Sequence, residues 1–157
     1  MTNQFPEDFP KEKLIASRTA DREGIDNSIP DDLLPNLIRV AWFLQSLKRR
    51  LDEVLEADVE LYLTSGYRCL KLNRHLGSKD TSDHVLALAA DIVCSHLEPL
   101  ELAQFIVQHM VEVGYDKVIN EFDRWVHISV RQPMRMLTYT AVKQGFGTAY
   151  EPGLRNS

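Results

Sequence analysis

Three side chains in this sequence have the types and the spacing needed for metal chemistry. His84 and Asp91 are separated by six residues, and His127 follows in the segment Trp125-Val126-His127. Two imidazoles and one carboxylate are ligands typical of a catalytic zinc site, in which the fourth position stays open for water. Zinc lowers the pKa of such a water to near neutrality and so supplies hydroxide for hydrolysis. We therefore predict a zinc hydrolase with these three metal ligands.

Two predicted strands would position the ligands. Asp91 lies in the short run 89–94, whose β-branched residues favour a strand. In the second run, 125–130, the even-numbered positions are all valine or isoleucine, so His127 lies on the opposite face together with Trp125. Such a one-sided strand is expected to turn its polar face towards a cleft. The first histidine then lies in the loop that leads into the first strand.

Short motifs surround these residues in a fixed order. They are Ser65-Gly66-Tyr67-Arg68, Leu72-Asn73, Ser82-x-His84, Ala89-x-Asp91 and Trp125-x-His127, preceded by the lead-in Thr19-Ala20 and Gly24-Ile25-Asp26-Asn27, and the match covers roughly residues 15–140. In this order and spacing the chain resembles the D-alanyl-D-alanine metallopeptidase family. That family includes bacterial D,D-carboxypeptidases and dipeptidases and phage endolysins, and the hedgehog signalling domain is a distant relative. The resemblance implies a Zn²⁺ cofactor and a peptidoglycan peptide as substrate.

The remaining sequence predicts an α+β fold in a single domain, residues 1–157. Residues 1–13 and 146–157 are expected to be loosely ordered. Pattern and resemblance together predict a small antiparallel sheet with helices on one face and the zinc site on the open face. The predicted elements are a helix from Asp31 or Asp32 to about 55, a strand 59–64, a short helix 69–76, a strand 89–94, a helix from 95–99 to about 113, and a hairpin of strands 117–122 and 125–130.

Composition narrows the possible partners. The chain has 157 residues, of which 44% are hydrophobic and 26% charged, as is usual for a globular domain. The net charge is −5 and no basic run occurs, so we expect no nucleic-acid partner. No apolar stretch reaches the roughly 18–20 residues that a membrane span requires. We expect a monomer.

The N-terminal sequence bears on localisation. Residues 1–10 are polar and acidic and lack the pattern of a signal peptide, so we expect synthesis in a cytoplasm. An enzyme that acts on the cell wall would then need to be released, or to be carried on a virion, and a phage or prophage endolysin fits this requirement. In that compartment Cys69 and Cys94 need no disulfide.

Two carboxylates are candidates for the general base of amide hydrolysis. These are Glu121 and Asp123. The resemblance implies a glutamate or histidine about three residues before the last ligand, but that position is Arg124, which cannot accept a proton. The hedgehog relatives carry a glutamate six residues before their last histidine, and Glu121 matches that spacing, so we favour Glu121. A two-residue turn at Asp123-Arg124 would point Glu121 away from the metal, whereas a three-residue loop or a bulge would return it to the face of His127.

Three further residues are candidates for substrate contact. The resemblance implies that Arg68 lies close to the substrate, where a guanidinium can hold a peptide carboxylate or polarise the scissile carbonyl. Ser82 is expected to hydrogen-bond either the substrate or the backbone of a ligand. Trp125 either forms a wall of the cleft or belongs to the core.

Two positions depart from the family pattern. Ala87 stands where the family usually has glycine, and its methyl group is tolerable only if the backbone there does not need a positive φ. Asp83 stands where a neutral residue is common. Its carboxylate either raises metal affinity or faces solvent, and we favour solvent.

Two classes of function remain open. The first is an active peptidoglycan peptidase, either an endolysin or a bacterial wall-remodelling enzyme. The second is a catalytically inactive zinc-containing domain that binds peptidoglycan or has a structural role. Glu121 and Arg68 together favour the enzyme, because a structural zinc site needs neither and is normally closed by four protein ligands. The sequence leaves open whether the D-Ala–D-Ala terminus, the L-Ala–D-Glu bond or a cross-link is cut.

Overall fold

The computed structural model describes residues 3–157, so the first two residues of the predicted loose N-terminus lie outside the described part. A 3-10 turn, Asp31–Leu33, precedes the third helix. The helices are α1 Lys11–Ile15, α2 Arg18–Glu23, α3 Leu34–Leu55, α4 Leu70–His75 and α5 Pro99–His109, and the strands are β1 Leu61–Ser65, β2 Ala89–Cys94, β3 Lys117–Glu121, β4 Trp125–Ser129, β5 Leu137–Gln144 and β6 Gly147–Pro152.

The six strands form one open sheet in the order β1-β2-β4-β3-β5-β6. All neighbouring strands are antiparallel except β3 and β5, which run parallel and are joined through β4 and the connection 130–136. The α+β prediction is confirmed, and so is the hairpin of β3 and β4. The sheet is larger than predicted, because β5 and β6 extend it beyond that hairpin.

The hydrophobic core lies on one face of the sheet. Helix α5 contacts β2, β3 and β4, and the central strands turn Ile92, Val126 and Ile128 towards the helices, where each is fully buried. The long helix α3 adds a buried apolar stripe to the same cluster. Because side chains alternate along a strand, Asp91 and His127 lie on the opposite face. No helix among residues 3–157 is long and apolar enough to cross a membrane.

Both chain ends differ from the predicted loose order. Near the N-terminus, Phe9 is 1% exposed and packs in the core. The expectation of an irregular tail is wrong for residues 147–152, which form β6. Beyond it, the backbone N–H of Arg155 donates to Thr140 Oγ1 and its carbonyl accepts from Asn120 Nδ2. Strand β6 escaped prediction because its side chains are mostly exposed on both faces, so it lacks the apolar alternation that marks a strand.

Candidate metal centre

The three predicted ligands meet on the sheet face opposite the helices. Asp91 of β2 and His127 of β4 are directly paired across the strands. His127 Nδ1 lies 3.0 Å and His84 Nε2 lies 3.2 Å from Asp91 Oδ1. All three side chains are buried, and one ligand atom from each lies within 4.8 Å of the others, so the group could hold a metal ion.

The backbone of the Ser65–Arg68 segment fixes the imidazole of His84. His84 Nδ1 lies 2.7 Å from the carbonyl oxygen of Gly66. A carbonyl can only accept, so Nδ1 carries the proton and a neutral ring presents the Nε2 lone pair to Asp91 Oδ1, itself an acceptor. Two acceptors 3.2 Å apart need a proton or a cation between them. This pairing of a metal-facing nitrogen with a carbonyl-bound N–H is typical of metal-ligating histidines.

Gly66 is required at this point because of close packing. A Cβ there would overlap the carbonyl oxygen of Leu14, which accepts the backbone N–H of Tyr67 at 2.8 Å. The loop that presents the Gly66 carbonyl is therefore pressed against the end of α1. The N-terminal helix thus takes part in positioning His84.

Arg68 lies against Asp91. Its Nη2 donates to Asp91 Oδ2 at 3.0 Å, its Nε to Ser65 Oγ at 2.8 Å and its Nη1 to Ser78 Oγ at 3.3 Å. These contacts use three of the five N–H donors of the guanidinium and leave two. Oδ2 is thereby held by the arginine while Oδ1 faces both histidines.

Glu121 lies beside the three-residue group. A three-residue loop, residues 122–124, joins β3 to β4, so Glu121 pairs with Trp125 and lies on the face of His127. Its Oε1 is 3.9 Å from His127 Nδ1. The loop is possible because Phe122 and Asp123 both adopt positive φ, 58° and 54°.

Asp123 faces away from the centre. Its Oδ1 accepts from Asn120 Nδ2 at 2.6 Å, and its Oδ2 accepts from the backbone N–H of Ser157 at 2.9 Å. Burial raises the pKa of Asp123, but these hydrogen bonds outweigh it and the net shift is downward. The carboxylate therefore ties the loop to the C-terminal residue.

Burial affects the two central carboxylates in different ways. Burial by itself raises the pKa of Asp91, but the adjacent imidazoles of His84 and His127 oppose it and hold that pKa well below its usual range. Burial raises the pKa of Glu121 to about 7, and the negative charge of Asp91 adds to the shift. A carboxylate ligand must be ionised, and a proton-transfer group works best with a pKa near the operating pH. The two environments suit these two different tasks.

The other predicted contacts are also near the centre. Ser82 Oγ accepts from the backbone N–H of His84 at 3.3 Å, which is the ligand-backbone contact that the sequence left open. Trp125 is half-buried beside Glu121, and its ring lies edge-on to Phe122 with centroids 5.8 Å apart. Its buried Nε1–H meets no acceptor within residues 3–157.

Both departures from the family pattern have a structural outcome that differs from expectation. Ala87 has φ +56° and is fully buried, so the backbone does take the left-handed conformation despite the methyl group. The expectation that Asp83 faces solvent is wrong, because its side chain is only 2% exposed. Its Oδ1 accepts from Arg131 at 3.1 Å, and Lys117 Nζ lies 3.0 Å from Oδ2 in an ion pair poorly aligned for a hydrogen bond.

Sequence reasoning missed the residues that support the ligands. Ser65 and Gly66 are in the motif, yet nothing in their types indicated that one would hold Arg68 and the other His84. Ser78 comes from a polar loop with no pattern of its own. Ser65 and Gly66 lie at the end of β1, a signal too general to select them, and Ser78 carries no such signal.

A buried group of two histidines and one carboxylate, with a separate protonatable carboxyl beside it, defines a candidate metal-dependent hydrolase. The family model described as Peptidase M15 matches residues 7–129. The chain therefore belongs to this metallopeptidase family, the D-Ala-D-Ala metallopeptidases. Comparison with curated proteins gives no match. The matched range contains all the predicted site residues and ends at the last residue of β4.

Proposed function

We propose that this chain is a zinc peptidase that hydrolyses an amide bond of a peptidoglycan stem peptide or cross-link. The observation that carries the proposal is the convergence of His84, Asp91 and His127 with the Glu121 carboxyl beside them. Membership of the family supports a peptidase. The resemblance of the chain to family members that degrade the cell wall supports a peptidoglycan peptide as the substrate. We propose further that it acts as a phage or prophage endolysin or in bacterial wall remodelling, as a monomer, after release from the cytoplasm or from a virion.

The donor set fits zinc. His84 Nε2, His127 Nδ1 and Asp91 Oδ1 would hold the ion, and three protein ligands leave a position for water, as in catalytic zinc sites. When bound there, zinc would lower the pKa of water towards neutrality and polarise the scissile carbonyl. The Gly66 carbonyl and the Arg68 guanidinium would orient two of the ligands from behind.

Glu121 is the proposed general base. It is not a ligand in this assignment, because the group whose ligand atoms lie within 4.8 Å of one another is His84, Asp91 and His127, and Glu121 lies beside it with Oε1 3.9 Å from His127 Nδ1. Its carboxylate would take a proton from the attacking water and return it to the departing amine. Arg68 retains two N–H donors for the developing oxyanion or a peptide carboxylate, while Nη2 holds Asp91 and the other two donors bond Ser65 and Ser78.

The proposal is tested by incubating the zinc-loaded chain with purified peptidoglycan and identifying the products by mass spectrometry. We expect about one zinc per chain and chelator-sensitive release of peptide fragments. The masses of the fragments assign the bond, whether the D-Ala–D-Ala terminus, L-Ala–D-Glu or a cross-link, and so separate a carboxypeptidase from an endopeptidase.

The matched control is the Glu121→Gln variant, which keeps the size of the side chain but cannot act as a base. It should bind zinc and release no fragments. A wild-type chain that carries zinc and binds peptidoglycan without cutting it would overturn the proposal in favour of a catalytically inactive peptidoglycan-binding domain.

A further inference from the structure

The strand register aligns Glu121 with a tyrosine at the edge of the sheet. Glu121 of β3 pairs with Ala141 of β5, and Ala141 pairs with Tyr150 of β6. On the other side Glu121 pairs with Trp125. Paired residues share a face of the sheet, so Trp125, Glu121, Ala141 and Tyr150 form one row on the face of the metal centre.

A small residue lies in this row between Glu121 and Tyr150. Ala141 has the smallest side chain in the row and is completely buried, whereas Tyr150 is 53% exposed. Neighbouring strands are roughly 4.8 Å apart, so Tyr150 stands roughly 10 Å from Glu121 at the backbone. With only a methyl group in between, the phenol can lean over Ala141 towards the metal centre.

Electrostatics support this placement. Burial raises the pKa of the Tyr150 hydroxyl, and the negative charges of Glu121 and Asp91 raise it further. The hydroxyl therefore lies within the field of both carboxylates. It remains protonated at neutral pH and is a hydrogen-bond donor.

We propose that Tyr150 is a substrate-contacting residue, whose hydroxyl donates a hydrogen bond to a carbonyl oxygen of the peptide bound over Glu121. Its ring and Trp125 form the two walls of the cleft. The inference rests on the proposed function for the identity of the peptide. Strand β6 lies outside residues 7–129, so the family match assigns Tyr150 no role.

The test removes only the hydroxyl, by Tyr150→Phe, and keeps the aromatic ring. The probe is a stem pentapeptide, which contains the D-Ala–D-Ala and L-Ala–D-Glu bonds. Its Kd is measured on zinc-loaded protein in the Glu121→Gln background, and its KM and kcat on the otherwise wild-type chain. A neutral hydrogen bond contributes about 0.5–1.5 kcal/mol net, so Kd and KM should rise about 2- to 12-fold with kcat little changed.

Tyr62→Phe is the matched control. Tyr62 is a strand tyrosine of similar exposure, 49%, in β1 at the opposite edge of the sheet, and its variant should leave Kd and KM unchanged. Zinc content and melting temperature should be the same in all these proteins. Equal Kd and KM for Tyr150→Phe and wild type would overturn the inference.

The outcomes separate this inference from the proposed function. Cleavage by wild type with no effect of Tyr150→Phe rejects the substrate contact alone. Binding that Tyr150→Phe weakens, without cleavage of pentapeptide or peptidoglycan, rejects the peptidase and keeps the contact. A wild-type chain that neither binds nor cleaves pentapeptide rejects the contact, and the peptidoglycan digest then decides the proposed function.

Discussion

The two oxygens of Asp91 have different neighbours. Oδ1 faces His84 and His127, and Oδ2 accepts from Arg68. A carboxylate held in this way cannot rotate without breaking a charge-assisted hydrogen bond, which is stronger than a neutral one. Single substitutions around Asp91 should therefore separate ligand, support and base by experiment.

Glu121→Ala should keep zinc and lose activity. Because Glu121 is assigned to proton transfer and not to the metal, we expect full zinc content with a rate lower by on the order of 10²–10⁴-fold. His127→Ala should lose both zinc and activity, since it removes a ligand. Zinc is measured by atomic absorption and hydrolysis by release of peptide from peptidoglycan.

Asp123→Ala is the control for that assignment. Its carboxylate bonds Asn120 and Ser157 and faces away from the centre, so we expect little change in rate. If Asp123→Ala were inactive with full zinc content, and the separate variant Glu121→Ala had normal activity, then Asp123 and not Glu121 would be the base.

Arg68→Ala should weaken zinc binding. Loss of a group that orients a ligand typically lowers metal affinity or activity by about 10–100-fold, and here the guanidinium orients Asp91. Affinity is measured by competition with a chromophoric chelator. Arg68→Lys keeps the charge but cannot reach Ser65, Ser78 and Asp91 together, so it should rescue only partly. Unchanged zinc affinity with lost hydrolysis would place the role of Arg68 on the substrate alone.

Among the helices and strands, the periodicity of apolar residues predicted those elements that bury one apolar face. The β3–β4 hairpin and helix α3 were predicted because their apolar residues recur at strand and helix spacing. The length of the hairpin loop, and so the direction of Glu121, could not be decided. It depends on positive φ at Phe122 and Asp123, which are not glycines and give no signal in the sequence. The metal ligands could be predicted from their residue types, whereas the residues that hold them in place lie in segments without periodicity.

Ala87, in the segment that leads into β2, has a left-handed backbone conformation. A substitution there tests whether the backbone is strained. At Ala87 the left-handed conformation costs an L-residue roughly 1–2 kcal/mol. Ala87→Gly removes this conformational cost. It also removes a buried methyl group, which destabilises the fold by about 0.8 kcal/mol. The greater entropy of the unfolded chain further destabilises the fold by about 0.4–1 kcal/mol. These effects nearly cancel, so we expect the free energy of unfolding to change by less than about 1 kcal/mol in urea denaturation.

Ala90→Gly is the matched comparison. Ala90 is equally buried but lies in β2 with ordinary strand geometry, so nothing offsets the loss. We expect destabilisation of roughly 1.5 kcal/mol from the lost methyl and the greater backbone freedom. If both variants lose the same stability, Ala87 is not strained.

For the whole molecule, a buried ion pair connects the sheet to the segment between β4 and β5. Asp116 is fully buried and accepts two hydrogen bonds from the guanidinium of Arg135, at 2.6 and 2.8 Å. The connection 130–136 must pass from β4 to β5 on the far side of β3. This pair fixes the end of that connection, and with it the placement of β5.

The pair predicts a pH dependence of stability. Hydrogen bonds from Arg135 hold the pKa of Asp116 below its usual value despite burial. A folded pKa below the unfolded value of about 3.9 stabilises the fold above that pH, and the contribution is lost as pH falls through the folded pKa. Asp116→Asn should therefore destabilise the chain by about 1–2 kcal/mol at pH 7, a value discounted because Arg135 is half exposed.

The measurement is the free energy of unfolding of both proteins between pH 7 and pH 2. The difference between them should shrink below about pH 4. Arg50, which pairs with Glu53 at an exposed site, offers the control variant Arg50→Gln, whose effect should be small at every pH. A constant difference between Asp116→Asn and wild type at all pH values would mean that packing, not charge, sets the effect.

The parallel pairing of β3 with β5 is the boundary between the metal centre and the terminal hairpin of β5 and β6. Every residue of the metal centre lies at or before β4, within the range that the family model matches, whereas within the sheet β5 and β6 join that unit only through the pairing of β5 with β3. Insertions or replacements in the terminal hairpin can change the outer wall of the cleft while the ligands keep their register. Exchange of this one hairpin is therefore expected to change which peptides the chain accepts, with zinc binding left intact.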